Sequence, residues 1–145
     1  MADNEVLDIW LNHNLLIVWK PEYELKIPII DEHHRGIVST INSFYFGMQH
    51  RHGKELLKPI STMIYEYTRV HFQIEEDFQK KFGFPGLKQH HELHNELTQK
   101  LLSVSKKSIW DQDPSEFLEF LKDWWINHIC HEDRLFSEYF HKKPA

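Results

Sequence analysis

Residues 87–104 read LKQHHELHNELTQKLLSV, and this stretch decides the fold. Leu87, His90, His94, Leu97, Leu101 and Val104 recur at steps of three and four, which in a helix stacks them in one stripe. Two histidines therefore stand within an apolar face. At i and i+4 they form a two-point clamp for a metal ion, as in zinc proteases. Those enzymes carry glutamate directly after the first histidine; His91 stands there here, so a zinc protease is disfavoured. Core histidines satisfied by hydrogen bonds are the alternative, but two neighbours need two buried acceptors.

The pattern continues on both sides. A helix from about Lys54 to Lys81 precedes the turn Gly83-Phe84-Pro85-Gly86, and Tyr67, His71, Glu75 and Phe78 share its inward stripe. Pro59 near its start suggests that the first turn begins later. A buried histidine beside a buried glutamate needs partners to offset desolvation, and a shared metal is one. Further upstream, Asp31 reads as the cap of a helix reaching about His50, in which His34 leads Ile37, Ile41, Phe44 and Met48. His33 competes with His34, which has the better phase. Pro21 and Pro28 make 20–29 an extended arm, and the apolar segment 6–19 reads as a short helix or strand. Downstream, Asp113-Pro114-Ser115-Glu116 opens a helix that runs to about Phe140. Its inner sector holds Phe117, Leu121, Trp124, Trp125, His128, Leu135 and Tyr139. Four helices with short connections predict an all-α, antiparallel up-down four-helix bundle with an extended N-terminal arm. Residues 1–18 read as an extension and 19–145 as the domain.

His34, His71, Glu75, His90, His94 and His128, with a carboxylate of the last helix, are too many ligands for one ion. They suit two metal ions sharing a bridge, a non-haem di-iron site in a bundle core. Spacing alone nominates Glu132, at i+4 from His128. Asp133, at i+5, lies about 140° away at about 100° per residue. A ferritin-like site would need four carboxylates and Glu-x-x-His motifs on core faces, which are lacking.

Composition narrows the rest. A domain of about this length buries roughly 68–70% of its unfolded surface, enough for a core without staples. The net charge of −5 argues against a grip on nucleic acid through its phosphates, and no nucleic-acid partner is expected. Cys130 is the sole cysteine, so no intramolecular disulfide forms. The start MADNEVLDIW is acidic where a secretory leader is basic, and no run of about eighteen apolar residues exists. The expectation is a cytoplasmic protein that does not associate with membranes.

Four motifs in order carry a resemblance. The arm and first helix read W-x-x-x-Y-x-x-x-I-P-x-I-D-x-x-H through Trp19, Tyr23, Ile27, Pro28, Ile30, Asp31 and His34. The second helix reads Y-x-x-x-H-F-x-x-E-E through Tyr67, His71, Phe72, Glu75 and Glu76. Pro85, His90 and His94 give P-x-x-x-x-H-x-x-x-H, and Trp124, His128, Ile129 and Asp133 give W-x-x-x-H-I-x-x-x-D. From Trp19 to Tyr139 the chain resembles the hemerythrin family. The resemblance implies that His90, His94 and His128 hold one iron, and that His34 and His71 hold a second with one position open. It makes Asp133, not Glu132, the bridging carboxylate beside Glu75, with an oxo or hydroxo group as third bridge. A local widening of the helix between His128 and Asp133 would reconcile resemblance with phase. The implied function is reversible binding of dioxygen, or of small anions such as azide, in a dry pocket.

Three positions depart from the family pattern: His33 replaces glutamine, Lys26 replaces glycine, and Trp125 replaces the leucine that lines the oxygen pocket. Trp125, one turn before His128, is expected over that pocket or at its edge, restricting access. Two other readings compete. One is a di-iron oxidoreductase acting on peroxide or nitric oxide, though no additional acid–base residue demands it. The other is an oxygen- or redox-sensing module whose extension docks an unknown protein partner through Trp10, Leu11, Leu15 and Leu16; covering a bundle edge is the plainer role for those four.

Overall fold

The computed structural model describes residues 15–50 and 53–142. Most of the N-terminal extension, including Trp10 and Leu11, lies outside the described residues. A single 3-10 turn, Pro21–Tyr23, interrupts the arm. The helices are α1 (Pro28–Gln49), α2 (Gly53–Lys81), α3 (Leu87–Asp111), α4 (Ser115–Trp124) and α5 (Asp133–Lys142). A π-helical segment, Trp125–Glu132, joins α4 to α5 in one continuous fourth rod. Consecutive helices pack against each other and α4 returns to α1, so the bundle closes as the hydrophobic periodicity predicts. Among the described residues no helix is long and apolar enough to cross a membrane.

The helix ends differ in detail. α1 begins at Pro28, three residues before the expected cap, because proline's fixed φ suits a first helical position. Asp31 lies buried in the first turn and caps the arm instead. Its carboxylate accepts the Leu25 N–H at 2.8 Å and the Lys26 N–H at 3.0 Å. Leu25 and Ile27 thereby enter the core on either side of Lys26, which takes φ 59°. That left-handed conformation is strained for an L-residue and not for glycine. Lys26→Gly is expected to stabilise the fold by roughly 0.5–1 kcal/mol, read as a raised urea midpoint. A lowered midpoint would contradict this account of the turn.

Pro59 lies inside α2, not before it. It sits on the exposed side, where solvent can take the backbone bond that its ring lacks. α3 runs past the expected end near Lys107 to Asp111 and stops at Gln112, in the left-handed region at φ 55°. The fourth rod begins at Ser115 with Pro114, not Asp113, in the cap position, and Asp113 Oδ1 accepts the Ser115 N–H at 3.0 Å from one residue further out. The arm is tied down from Leu16 onward. Leu16 and Ile17 N–H groups both donate to Asn42 Oδ1 at 2.9 Å, and Ile17 is buried.

Two stripe assignments change. Periodicity puts Tyr67 inside α2, but it stands at the rim with its hydroxyl over Gly36, where any side chain would collide with it. Thr68 takes the inner place. On the fourth rod, Leu135 is 48% exposed and Tyr139 sits at the edge, donating to the Gly83 carbonyl at 3.0 Å. Phe136 and Ser137 are buried in their stead. The cause is the π segment. The Asp133 N–H donates to the carbonyl of His128, five residues back instead of four. One residue is absorbed in the wide turn, so every downstream inner position moves on by one.

The core has two parts. The larger centres on Ile41, Phe44, Phe117 and Leu121; the smaller joins Leu25, Ile27 and Ile30 of the arm side to Phe136. A layer of polar side chains lies between them.

Candidate metal centre

Each helix supplies that layer from its inner face: His34 from α1, His71 and Glu75 from α2, His90 and His94 from α3, and His128 with Asp133 from the fourth rod. All seven are buried, none more than 5% exposed. Their donor atoms form two overlapping groups. Glu75, His90, His94, His128 and Asp133 make one; His34, His71, Glu75 and Asp133 make the other. Within each group the ligand atoms lie within 4.8 Å of one another. Glu75 and Asp133 belong to both.

Glu75 Oε1 lies 2.6 Å from His90 Nε2 and 3.3 Å from His94 Nε2, while Oε2 lies 3.3 Å from His71 Nε2. Asp133 spans the same gap. Its Oδ1 is 3.1 Å from His90 Nε2 and 3.3 Å from His128 Nε2, and its Oδ2 is 3.1 Å from His34 Nε2. The π turn makes this reach: it carries Asp133 inward and leaves Glu132 half-buried, lining an outer groove with Leu97, Phe120 and Trp124.

The donor set fits metal ions better than it fits itself. Both Glu75 oxygens, and the Nε2 atoms of His94 and His128, lie in no hydrogen-bond geometry despite these short distances. His34 and His71 face each other Nε2 to Nε2 at 3.2 Å. Lone pairs that converge without enough protons between them describe ligands around cations. Charge within the layer is divided. Burial drives His34 down to about 4 and holds His128 well below the usual imidazole range. At His90 burial opposes charge, but Asp133 and Glu75 outweigh it and raise the ring to about 10. Burial, then Glu75, lifts Asp133 to about 7. Burial works to raise Glu75 too, yet the imidazoles of His71, His90 and His94 hold it well below the usual range. A metal takes neutral imidazoles and charged carboxylates, so binding would displace the proton that His90 holds and any on Asp133.

Three neighbours support the layer. His33 Nδ1 lies 3.2 Å from His71 Nδ1, so the residue that replaces glutamine touches the outer nitrogen of a central histidine. Glu76 Oε2 lies 3.5 Å from His94 Nδ1 and its other oxygen contacts His91. Such outer partners set the orientation of ligating histidines. Periodicity could not nominate them, because both sit on helix flanks; their adjacency to His34 and Glu75 was the available signal. Trp125 is fully buried and meets the His34 ring edge-to-face, centroids 5.7 Å apart.

Comparison with known proteins agrees with this geometry. The Hemerythrin HHE cation binding domain matches residues 25–140. A bacteriohemerythrin of Clostridium acetobutylicum is 33% identical over 125 residues, covering 82% of this chain and 97% of that protein. A hemerythrin chain of Sipunculus nudus is 30% identical over 112 residues, covering 77% of this chain and 83% of that one. A bacteriohemerythrin of Stenotrophomonas maltophilia is 24% identical over 124 residues, covering 85% of this chain and 80% of that protein. With a helical bundle, a buried histidine–carboxylate layer and a domain match across most of its length, the chain belongs to the hemerythrin family.

Proposed function

We propose that this chain binds dioxygen reversibly at a non-haem di-iron centre. His90, His94 and His128 would hold one iron, His34 and His71 the other, with Glu75 and Asp133 shared. The observation that supports this most is the sharing itself: two donor groups overlap in two carboxylates and differ by one histidine. The group with fewer donors leaves room for an exogenous ligand, so the ligand position falls beside His34 and His71. When bound, iron supplies the electrons that dioxygen borrows and returns.

The protein's own residues do the rest. Five imidazoles fix the donors in place from four separate rods. Phe72 stacks on His94 at 3.7 Å and Trp125 closes on His34, so apolar rings wall the layer against water. A dry wall would keep water and protons from the ligand position, which favours reversible binding. His33 holds the outer nitrogen of His71, which keeps its Nε2 directed inward, while Glu76 stands 3.5 Å from the outer nitrogen of His94 without a hydrogen bond to it.

Anaerobic reduction of the iron-loaded chain followed by admission and removal of oxygen is the test. A visible band that appears and vanishes over repeated cycles, at two irons per chain, is the expected result. One metal per chain, or a band that forms once and cannot be reversed, would overturn it. Rapid steady-state consumption of hydrogen peroxide or nitric oxide with no reversible oxygen band would favour an oxidoreductase instead.

A further inference from the structure

Trp125 joins the centre to the N-terminal arm. On one side its indole meets the His34 ring at 5.7 Å. On the other it meets Tyr23 at 5.4 Å and Trp19 at 5.8 Å, and those two rings meet each other at 5.6 Å. Trp125 is fully buried, whereas Tyr23 and Trp19 are half-buried. An unbroken run of rings thus leads from the polar layer to the surface. Electron tunnelling decays exponentially with distance, so closely spaced oxidisable rings favour short steps over one long jump. Tryptophan and tyrosine are readily oxidised by one electron; an aliphatic residue at 125 would leave a gap in the run.

The surroundings set a direction. The Trp125 Nε1 is buried with no hydrogen-bond partner among the described residues. An indole that cannot pass on its proton stays a cation when oxidised, and a cation is costly in an apolar site. The hole therefore moves outward. Arg35 lies 5.0 Å over the Trp19 ring, and its positive charge opposes a second cation there. Tyr23 has the alternative of losing its phenolic proton, so it is the favoured terminus.

We propose that Trp125 and Tyr23 form an electron relay through which the oxidised centre draws single electrons from donors at the surface, with hydrogen peroxide as the oxidant it discharges. The proposal rests on the reading of the polar layer as an iron centre. In each passage one electron leaves the indole for the centre, which is reduced by one. Tyr23 returns one electron to the indole and releases its phenolic proton to solvent. A one-electron, one-proton donor such as ascorbate restores the tyrosine. Two passages deliver the two electrons which, with two protons from solvent, convert one hydrogen peroxide to two waters.

The test uses the iron-loaded full chain, mixed with hydrogen peroxide and frozen within milliseconds. Electron paramagnetic resonance and peptide mass mapping then read the radical and its oxidation products. The expected result is a tyrosyl radical in the parent chain, lost in Tyr23→Phe and lost in Trp125→Phe at equal iron content. Phenylalanine keeps an aromatic ring at 125 but is far harder to oxidise, so pocket access is little altered. Oxidation of Trp110, 87% exposed and remote from the relay, should be the same in all three chains. Ascorbate should quench the radical, and the iron-free chain should form none. Undiminished modification of Tyr23 in Trp125→Phe overturns the relay alone. A parent chain that takes up no iron overturns the reading of the centre, and the relay with it.

Discussion

Asp133→Ala is expected to strip the chain of iron, while Glu132→Ala leaves it fully loaded. Asp133 is the sole side chain on the fourth rod that reaches both donor groups, with Oδ1 toward His90 and His128 and Oδ2 toward His34. Removing it takes one donor from each ion position at once. It also leaves His90 protonated less readily, since Asp133 is the leading influence that raises that ring against burial. Glu132 is half-buried in the outer groove and contributes nothing to either group. Iron content and the visible spectrum after purification give the answer. His50→Ala, at the exposed end of α1, is the control expected to keep its metal. If the glutamate variant loses iron and the aspartate variant keeps it, the two roles are reversed.

Trp125→Leu is expected to speed uptake of azide or dioxygen by about tenfold, equivalent to ~1.4 kcal/mol off the barrier to access. The effect is steric. The proposed centre would put the ligand position beside His34 and His71, and the Trp125 ring stands edge-on to His34 with no exposed surface of its own. Leucine is far smaller and leaves space there. The same space costs stability, though less than the roughly 3–5 kcal/mol expected for truncating a buried tryptophan to alanine. Stopped-flow traces at matched iron content separate access from loading. Unchanged rates in a fully loaded variant would show that the ring blocks nothing.

Much of this is legible in the chain of letters alone. The stripe from Leu87 to Val104 places two histidines on one face, and the seven side chains that spacing and resemblance together nominate all lie buried. What spacing cannot resolve is Asp133 against Glu132, because it assumes a constant 100° per residue, roughly. The wide turn breaks that assumption, and the same break displaces Leu135 and Tyr139 from their expected places. The family motif points to the residue that the wide turn carries inward, because a motif counts positions and is indifferent to pitch. Asp31 departs from expectation for a related reason. Its type suits a helix cap, but Pro28 has already opened the helix, and the carboxylate turns back to hold the arm. Tyr67 departs because a stripe says nothing of a missing side chain across the way; Gly36 gives it room at the rim.

The π segment has a further consequence for how this rod tolerates change. It behaves as an expansion joint, taking up one surplus residue between His128 and Asp133 while both ends stay in register with the bundle. Deleting Cys130, which is half-buried and belongs to neither donor group, would set Asp133 four residues after His128 in an ordinary helix, with Phe136 still facing the core. Iron should be retained and the unfolding midpoint should rise. Deleting Lys122 within α4 offers no such slack: the rod upstream would turn by about 100° against its neighbours, and Phe117 and Leu121 would leave the core. Here the tolerance of the chain to a change in length is concentrated in a single turn, next to the residues that need it most.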